Sequence, residues 1–396
     1  MPSTLKSDII MKATAIASAA LFSAILLCYV PSWRNGFVYD DHRLILQQVA
    51  PASIGDYVQV FAEPNYPDLP YYRPVTRLTF LIQKAIHGDN PVPYHLFNMI
   101  LAGLAGSLVF LLLNGPPFRV NRPAAFLAAL LFSIHPVTSS CVYPAAGRET
   151  LLAAVLMLAA LWGHLRAGTA WRAVTLVCVV LALFAKEQAV VLPLVLAIAD
   201  VLGLSAHPPG RSVREWLVRY VPMAAAVAAY LAIRHALFSG VLPLGIAMAE
   251  HPLKPIWSYA YALQVTFAPF LHLVYEPPVS VWLDPVRLGS GLAAGAALLW
   301  ATLRSPAGWK AAVFWVAWFV IAQLPSANLL HQETEFDERY VFVGMLAAPA
   351  LAAMLLQGWW SIAGARRAGI ACGAVGVAVL AGISLERSGD FRDDLA

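Results

Sequence analysis

An all-α polytopic membrane protein is the fold class that the sequence predicts, and three observations predict it. Of the 396 residues, 60% are hydrophobic and only 12% charged, whereas soluble domains run at about 45–50% apolar and about 25% charged. The mean hydropathy is +0.68, which excludes a soluble enzyme, a disordered chain and a disulfide scaffold. The apolar residues gather in long runs without the alternation of a half-buried strand. The cysteines Cys28, Cys141, Cys178 and Cys372 lie in or beside these runs without metal-ligand spacing, so they read as packing residues.

The first run, 9–30, follows Lys6 and is long enough to cross a bilayer, so it reads as an uncleaved signal anchor with its N-terminus in the cytoplasm. Further runs occupy 95–113, 123–141, 149–165, 170–185, 188–204, 220–238, 256–273, 288–303, 311–326, 339–357 and 368–385. The connections 114–122, 166–172, 205–219, 304–310 and 358–367, together with Lys6, hold 12 of the 26 basic residues and, with the flanking Asp8 and Asp200, three of the 22 acids. Basic connections face the cytoplasm, so these are placed inside and the acidic connections outside. Crossing at every run would put Arg304 and Arg366 outside. The run 256–273 carries Gln264, His272 and flanking prolines, so it reads as a re-entrant or interfacial element. The expected topology is about 11 transmembrane helices in a single domain spanning 1–396, with the N-terminus in and the C-terminus out. An ordinary tilted span at 256–273 is the alternative. The excess of 20 Arg over 6 Lys in an Ala-rich chain points to a GC-rich bacterial genome, hence to a cytoplasmic (inner) membrane.

Residues 31–93 form a long first extracytoplasmic loop, far longer than a connection without structure or function of its own. Residues 42–49 and 74–87 are expected to form short amphipathic helices at the membrane surface, where Trp33, Tyr71, Tyr72 and Phe80 suit the interface. Asp40 and Asp41 stand side by side soon after the first span. Such a carboxylate can serve as a base on an acceptor hydroxyl or as a cation ligand, or form a solvated acidic turn.

Polar clusters also mark the outer ends of the runs. They are Arg73-Pro74; His135-Pro136 with Arg148 and Glu149; Lys186-Glu187; and 331–340, which ends in Glu338-Arg339-Tyr340. Lys186 and Glu187 follow a short span. From Trp171 to Ala185 the helix rises only about 22 Å, less than the roughly 30 Å of bilayer hydrocarbon, so the pair falls in a depression, either as a capping ion pair or as part of a site. Arg73, Arg148, Lys186 and Arg339 on one face form a candidate set for a lipid phosphate, because guanidinium forks match phosphate oxygens. His135 either donates to a carbonyl freed by Pro136 or contacts substrate. No Walker A loop, dinucleotide fingerprint or HExxH motif occurs, so no nucleotide, metal or other cofactor is expected, and no nucleic-acid partner.

Taken in order, FVYDD, YYRPVTRLTF, IHPVTSSCV with GRETLLA, AKEQ, and NLL with DERYVF resemble the membrane portion of the TMTC-type O-mannosyltransferases, which belong to the GT-C glycosyltransferases. The resemblance covers about residues 30–345. It implies a GT-C-like helical bundle and an active site on the extracytoplasmic face, facing the periplasm or exterior. By that resemblance the first-loop acids are Asp40 and Asp41, both placed in the catalytic site and either of them able to be the base; the favoured assignment makes Asp40 the base and has Asp41 position the loop. Arg73, His135, Arg148, Glu149, Lys186, Glu187, Glu338, Arg339 and Tyr340 bind the donor phosphate or substrate. Two features depart from the family. The tetratricopeptide repeats that would hold an acceptor protein are absent, and Ser139-Ser140 stand where an acidic residue follows HPV in the family. The expected acceptor is therefore a protein, a glycan or a lipid-linked saccharide.

The expected activity is transfer of a sugar, mannose or another hexose, from a polyprenyl-phosphate donor to an acceptor hydroxyl, by inversion with a carboxylate base and without a metal. The rival class is a transporter or flippase of a charged amphiphile. That class favours internal repeats with matching broken helices, and none is evident between the halves of the sequence. A non-catalytic scaffold, the third reading, predicts that the charged clusters stay apart in space.

Overall fold

A computed structural model of the chain describes residues 3–66, 69, 71–210, 212–238, 253–269, 285–304, 308–329 and 336–394. Among these the chain is helical, with no strand. The first half comprises α1 (Ser3–Tyr29), α2 (Ile54–Gln59), α3 (Pro74–His87), α4 (Pro91–Asn114), α5 (Arg122–Ile134), α6 (Pro136–Val142), α7 (Arg148–His164), α8 (Thr169–Ala185), α9 (Leu192–Val201) and α10 (Val213–Phe238). It is followed by α11 (Lys254–Phe267), α12 (Pro285–Leu303), α13 (Trp309–Gln323), α14 (Ala347–Gly358) and α15 (Ala363–Glu386).

Among the described residues, five segments are long and apolar enough to cross a membrane, namely Met11–Arg34, Pro91–Asn114, Ala145–His164, Val213–Phe238 and Ala363–Phe391; counting the bent α5–α6 pair as one span makes six. The sequence expectation of eleven crossings therefore rests on shorter or broken helices for the remainder. Part of the doubtful run 256–273 forms α11, and its last four residues lie outside the described residues. Arg211, His272 and residues 331–335 of the fourth polar cluster also lie outside them.

Several runs that hydropathy marks as single helices are interrupted. The run 123–141 bends by 57° between α5 and α6. His135 at the joint has φ −59° and ψ 142°, because the proline ring that follows disfavours the α region for the residue before it. The run 188–204 opens with a 3-10 turn, Glu187–Val191, before α9 begins. The run 339–357 opens with two 3-10 turns, Glu338–Tyr340 and Gly344–Leu346, and becomes α-helical only at Ala347. The expected amphipathic helix at 42–49 is a single wide turn, His42–Leu46, whereas that at 74–87 forms as α3.

α4 is the hub, packed against α1, α5 and α7, and α7 runs alongside α8 over its length. The starts of α4 and α5 are capped: the Asn90 side chain accepts from Val92 N–H at 3.1 Å, and that of Asn121 accepts from Ala124 N–H at 3.0 Å. These caps satisfy two of the donors that a helix N-terminus leaves open. A cluster of large buried aromatics, Phe314, Trp315 and Trp318, fills the interior near α13, and Trp318 Nε1 donates to the Val343 carbonyl at 2.7 Å. The tail after α15 returns to the first loop. Gly36 N–H donates to the Arg392 carbonyl at 2.9 Å, and His42 Nε2 lies 2.7 Å from Asp394 Oδ2. The C-terminal tail and the first loop thus meet at the end of the bundle that holds the polar clusters.

Candidate active site

The two adjacent acids of the first loop take different places. Asp41 is fully buried. It accepts from Val38 N–H at 3.2 Å, from Ala145 N–H at 3.1 Å and from Ala146 N–H at 2.6 Å. The carboxylate therefore ties the first loop to the turn that leads into α7. Burial pushes its carboxyl up to about 6, against the downward pull of those three donors. Gly147 in that turn has no room for a side chain: a Cβ would sit 2.1 Å from the Cys141 carbonyl oxygen. Asp40 points the other way, with 48% of its side chain exposed. It lines a cavity of about 630 Å³ together with Tyr39, Ser140, Pro144, Arg339 and Arg387.

Arg339 faces Asp40 across this cavity, with Nη1 3.6 Å from Asp40 Oδ2. Its Nε donates to Asp337 Oδ2 at 2.7 Å, which aims the guanidinium. The neighbouring Glu338 is buried and pairs with Arg387 Nη1 at 2.7 Å. Arg387 also donates to the Pro136 carbonyl at 3.0 Å. Burial pushes the Glu338 carboxyl up to about 7, although Arg387 pulls it down.

Next to the cavity three of the sequence clusters form one buried charge group. Arg73 pairs with both Glu149 and Glu187, its Nε donating to Glu187 Oε2 at 2.8 Å. Glu187 thus turns to Arg73, where the sequence allowed a pair with Lys186. Lys186 Nζ donates to Thr150 Oγ1 at 2.7 Å and lies 5.6 Å from the centroid of the Tyr340 ring. Two cations and two carboxylates give this group a formal net charge of zero. A neutral group is the arrangement that lets ions be buried at tolerable cost.

Of the expected ligands only Glu338 and Arg339 line the cavity, and Arg148 and His135 are engaged elsewhere. Arg148 is fully buried and bonded within the protein. Its Nε donates to Asn98 Oδ1 at 3.3 Å and its Nη1 to Thr79 Oγ1 at 3.2 Å, its Nη2 donates to Gln83, and its guanidinium lies 4.1 Å from the Phe80 ring centroid. It locks α7 to α3 and α4. His135 uses both ring nitrogens structurally: Nδ1 accepts from Val137 N–H at 3.2 Å, capping α6, and Nε2 lies 3.2 Å from the Thr266 carbonyl. Of the four cations grouped from sequence, only Arg339 lines the cavity; Arg73 is held by two carboxylates and Lys186 sits behind Tyr340.

Sequence reasoning missed Arg387, Asn98 and Thr150. Arg387 follows the last apolar run in a charged tail, a signal that a reading concerned with span orientation passes over. Asn98 lies in the first turns of α4, where a lone amide in an apolar run signals a buried partner. Its Nδ2 donates to the Pro144 carbonyl at 2.9 Å, so it joins α4 to the turn that Asp41 also holds.

Comparison with known proteins supplies the remaining context. No protein-family profile matches the chain. The human protein O-mannosyl-transferase TMTC1 is 33% identical over 162 residues, which are 39% of this chain and 18% of that protein. The human TMTC4 is 27% identical over 219 residues, 47% of this chain and 29% of that protein. The Caenorhabditis elegans protein O-mannosyl-transferase F38B6.6 is 28% identical over 216 residues, 52% of this chain and 30% of that protein. These relatives of the chain are all named protein O-mannosyl-transferases. The aligned part of the chain spans less than a third of the length of each of these relatives. Among solved structures, ArnT from Cupriavidus metallidurans, determined with undecaprenyl phosphate bound, superimposes with a TM-score of 0.50 at 16% identity, covering 85% of this chain and 60% of that one. The chain therefore shares its helical fold with this ArnT, in keeping with the helical membrane bundle that the resemblance implied.

Proposed function

We propose that this protein is a membrane glycosyltransferase that moves a sugar from a polyprenyl-phosphate donor to an acceptor hydroxyl on the extracytoplasmic face. The observation that carries the reading is the pairing of roles at the cavity: a partly exposed carboxylate, Asp40, opposite a fixed guanidinium, Arg339, with its twin Asp41 anchoring the loop behind it. The homology to O-mannosyltransferases supports the reaction class and favours mannose. The fold neighbour that binds undecaprenyl phosphate supports a lipid-linked donor.

In the reaction, the acceptor oxygen attacks the anomeric carbon while Asp40 takes the hydroxyl proton, and the bond from that carbon to the phosphate oxygen breaks. The configuration inverts. General-base help of this kind contributes about 10²–10⁴-fold. The polyprenyl phosphate leaves with its negative charge, which Arg339 stabilises from the cavity wall while Lys186 adds positive potential from behind Tyr340. These cations do the electrostatic work that a metal ion does elsewhere, so transfer is expected to survive chelation.

The test is transfer of labelled mannose from polyprenyl-phosphate mannose by protein reconstituted in liposomes, with membrane and peptide extracts as acceptors and with EDTA present. Wild-type protein is expected to label an acceptor, and Asp40→Asn to lose about 10²-fold or more in rate while keeping its elution profile. Transfer by Asp40→Asn at the wild-type rate refutes Asp40 as the base. No transfer of any polyprenyl-linked hexose by well-folded wild type refutes the activity.

A further inference from the structure

A second polar site lies at the opposite end of the bundle. α7 and α8 each have 17 residues, about 25 Å of helix. Their Glu149 and Lys186 ends meet the candidate active site, and their His164 and Thr169 ends border a different cavity of about 540 Å³. Arg166, Arg172, Arg214 and Arg219 line that cavity, with Leu176 and Met223 among its apolar wall.

The four arginines are not equivalent. Arg219 is neutralised: its Nη1 lies 2.7 Å from Asp200 Oδ2, in a buried network where Asp200 also accepts from the Tyr220 hydroxyl at 2.5 Å. Arg166 donates to the Trp162 carbonyl at 2.6 Å and stacks 3.4 Å from the Trp162 ring centroid, which orients it without cancelling its charge. Among the described residues Arg172 and Arg214 make no ion pair and no side-chain hydrogen bond. Both sit in the opening turn of a helix, α8 and α10 respectively, where the helix dipole disfavours a cation. Glu215, the only carboxylate lining the cavity among the described residues, accepts from Gly210 N–H at 2.6 Å. Setting Glu215 against Arg166, Arg172 and Arg214 leaves an excess of two positive charges.

Orientation signals alone account for basic residues in these connections. They do not account for convergence of the side chains from both connections on one concave surface with an apolar wall. We propose that this cavity binds a phosphate group at the membrane face opposite the candidate active site, the phosphate being that of an anionic lipid headgroup or of a soluble phosphorylated molecule. Guanidinium forks match the phosphate oxygens, and an anion there relieves the unfavourable placement of Arg172 and Arg214. The wall of Leu176 and Met223 suits the first methylenes of a lipid chain, and basic pockets between membrane helices are a recurring way to hold anionic headgroups.

The experiment uses full-length protein purified in non-ionic detergent. Retention of phosphatidylglycerol and of phosphatidylcholine is compared by native mass spectrometry, and protection from thermal unfolding by inorganic phosphate is measured alongside. The same readings are taken on Arg172→Gln/Arg214→Gln, whose substitutions are remote from Asp40 and Arg339. Preferential retention of phosphatidylglycerol that falls about thirtyfold in the double variant supports a lipid occupant. Protection by inorganic phosphate, lost in the variant and without lipid preference, supports a soluble one. Equal retention of both lipids together with no phosphate protection overturns the proposal, as does a preference that the double variant keeps in full. None of these readings depends on sugar transfer.

Discussion

Arg73→Met tests whether the buried charge group is structural. Arg73 touches two carboxylates, and side-chain exposure is only 8% for Arg73, 8% for Glu149 and 25% for Glu187. At a charge separation of about 4 Å and an effective dielectric of about 20, each pair contributes roughly 4 kcal/mol of attraction. Much of that is offset by the cost of desolvating the ions, and the measured loss when one partner of a buried pair is removed is about 3–5 kcal/mol. Methionine fills the stem volume of arginine, so the loss comes from charge and not from a void. Two glutamates would then share Lys186 alone, and the group would carry a net charge of −1. A loss of about 3–5 kcal/mol is roughly a fifth or more of a typical folding stability of about 5–15 kcal/mol. The assay is the fraction of detergent-solubilised protein that still elutes as a single peak after heating. The single variant is expected to lose its peak at clearly lower temperature, and Arg73→Met/Glu149→Gln to recover part of the difference by restoring neutrality. An unchanged midpoint in Arg73→Met refutes the structural assignment and returns Arg73 to the set of groups free to bind a phosphate.

Asp41→Asn is expected to destabilise the protein by about 1–3 kcal/mol, because an amide cannot accept from the donors on both sides of the carboxylate, while Asp40→Asn leaves the melting midpoint unchanged; the same midpoint for both variants refutes the division of roles. Both Asp41 and Glu338 hold a proton more tightly when folded, so each contributes stability that is complete below the usual carboxylate range and is lost as pH rises through about 6 for Asp41 and about 7 for Glu338. The melting midpoint should therefore fall between pH 5 and pH 8, by an amount that shrinks in Glu338→Gln; a midpoint that rises across this window contradicts the burial argument. Cysteines placed at Asp40 and at Arg214 should label with impermeant reagent from opposite sides of the membrane, and labelling of both from one side contradicts the two-ended arrangement.

The residue types of the site were legible in the sequence, and their pairings were not. Each cluster stands out because ions in an apolar chain need a reason. Which ion meets which is decided by helix rotation and by loop return, and neither leaves a mark in local sequence. Glu187 follows Lys186 directly, yet the turn after α8 sends it to Arg73, 114 residues away. Arg148 reads as a phosphate ligand because it begins a span, but its partners Thr79 and Gln83 come from the surface helix α3, whose docking no periodicity reveals. The break at His135 was within reach of sequence rules, because the residue before proline avoids the α region. The 3-10 turns at 338–346 were not, because hydropathy reports burial and takes no account of whether a buried segment is α-helical.

The interruptions explain how charged chemistry fits inside so apolar a protein. A continuous span would carry Lys186 and Glu187 to the surface or bury them against lipid, where each ion costs about 2.5–3.5 kcal/mol. α8 ends at Ala185 and the chain turns before α9 begins at Leu192, so the polar segment is enclosed by protein. The turn brings Gln188 within reach of main chain: its Nε2 donates to the carbonyls of Ala322 at 3.1 Å and Tyr340 at 3.0 Å. The same logic holds at 338–346, where irregular backbone carries Glu338 and Arg339 to the cavity. Irregular backbone at membrane depth is tolerated only where protein or a cavity surrounds it. The three interrupted runs, at His135, at Glu187 and at Glu338, are therefore the positions where the bundle exchanges regular helix for a polar interior, and Asp40 enters that interior from the first loop.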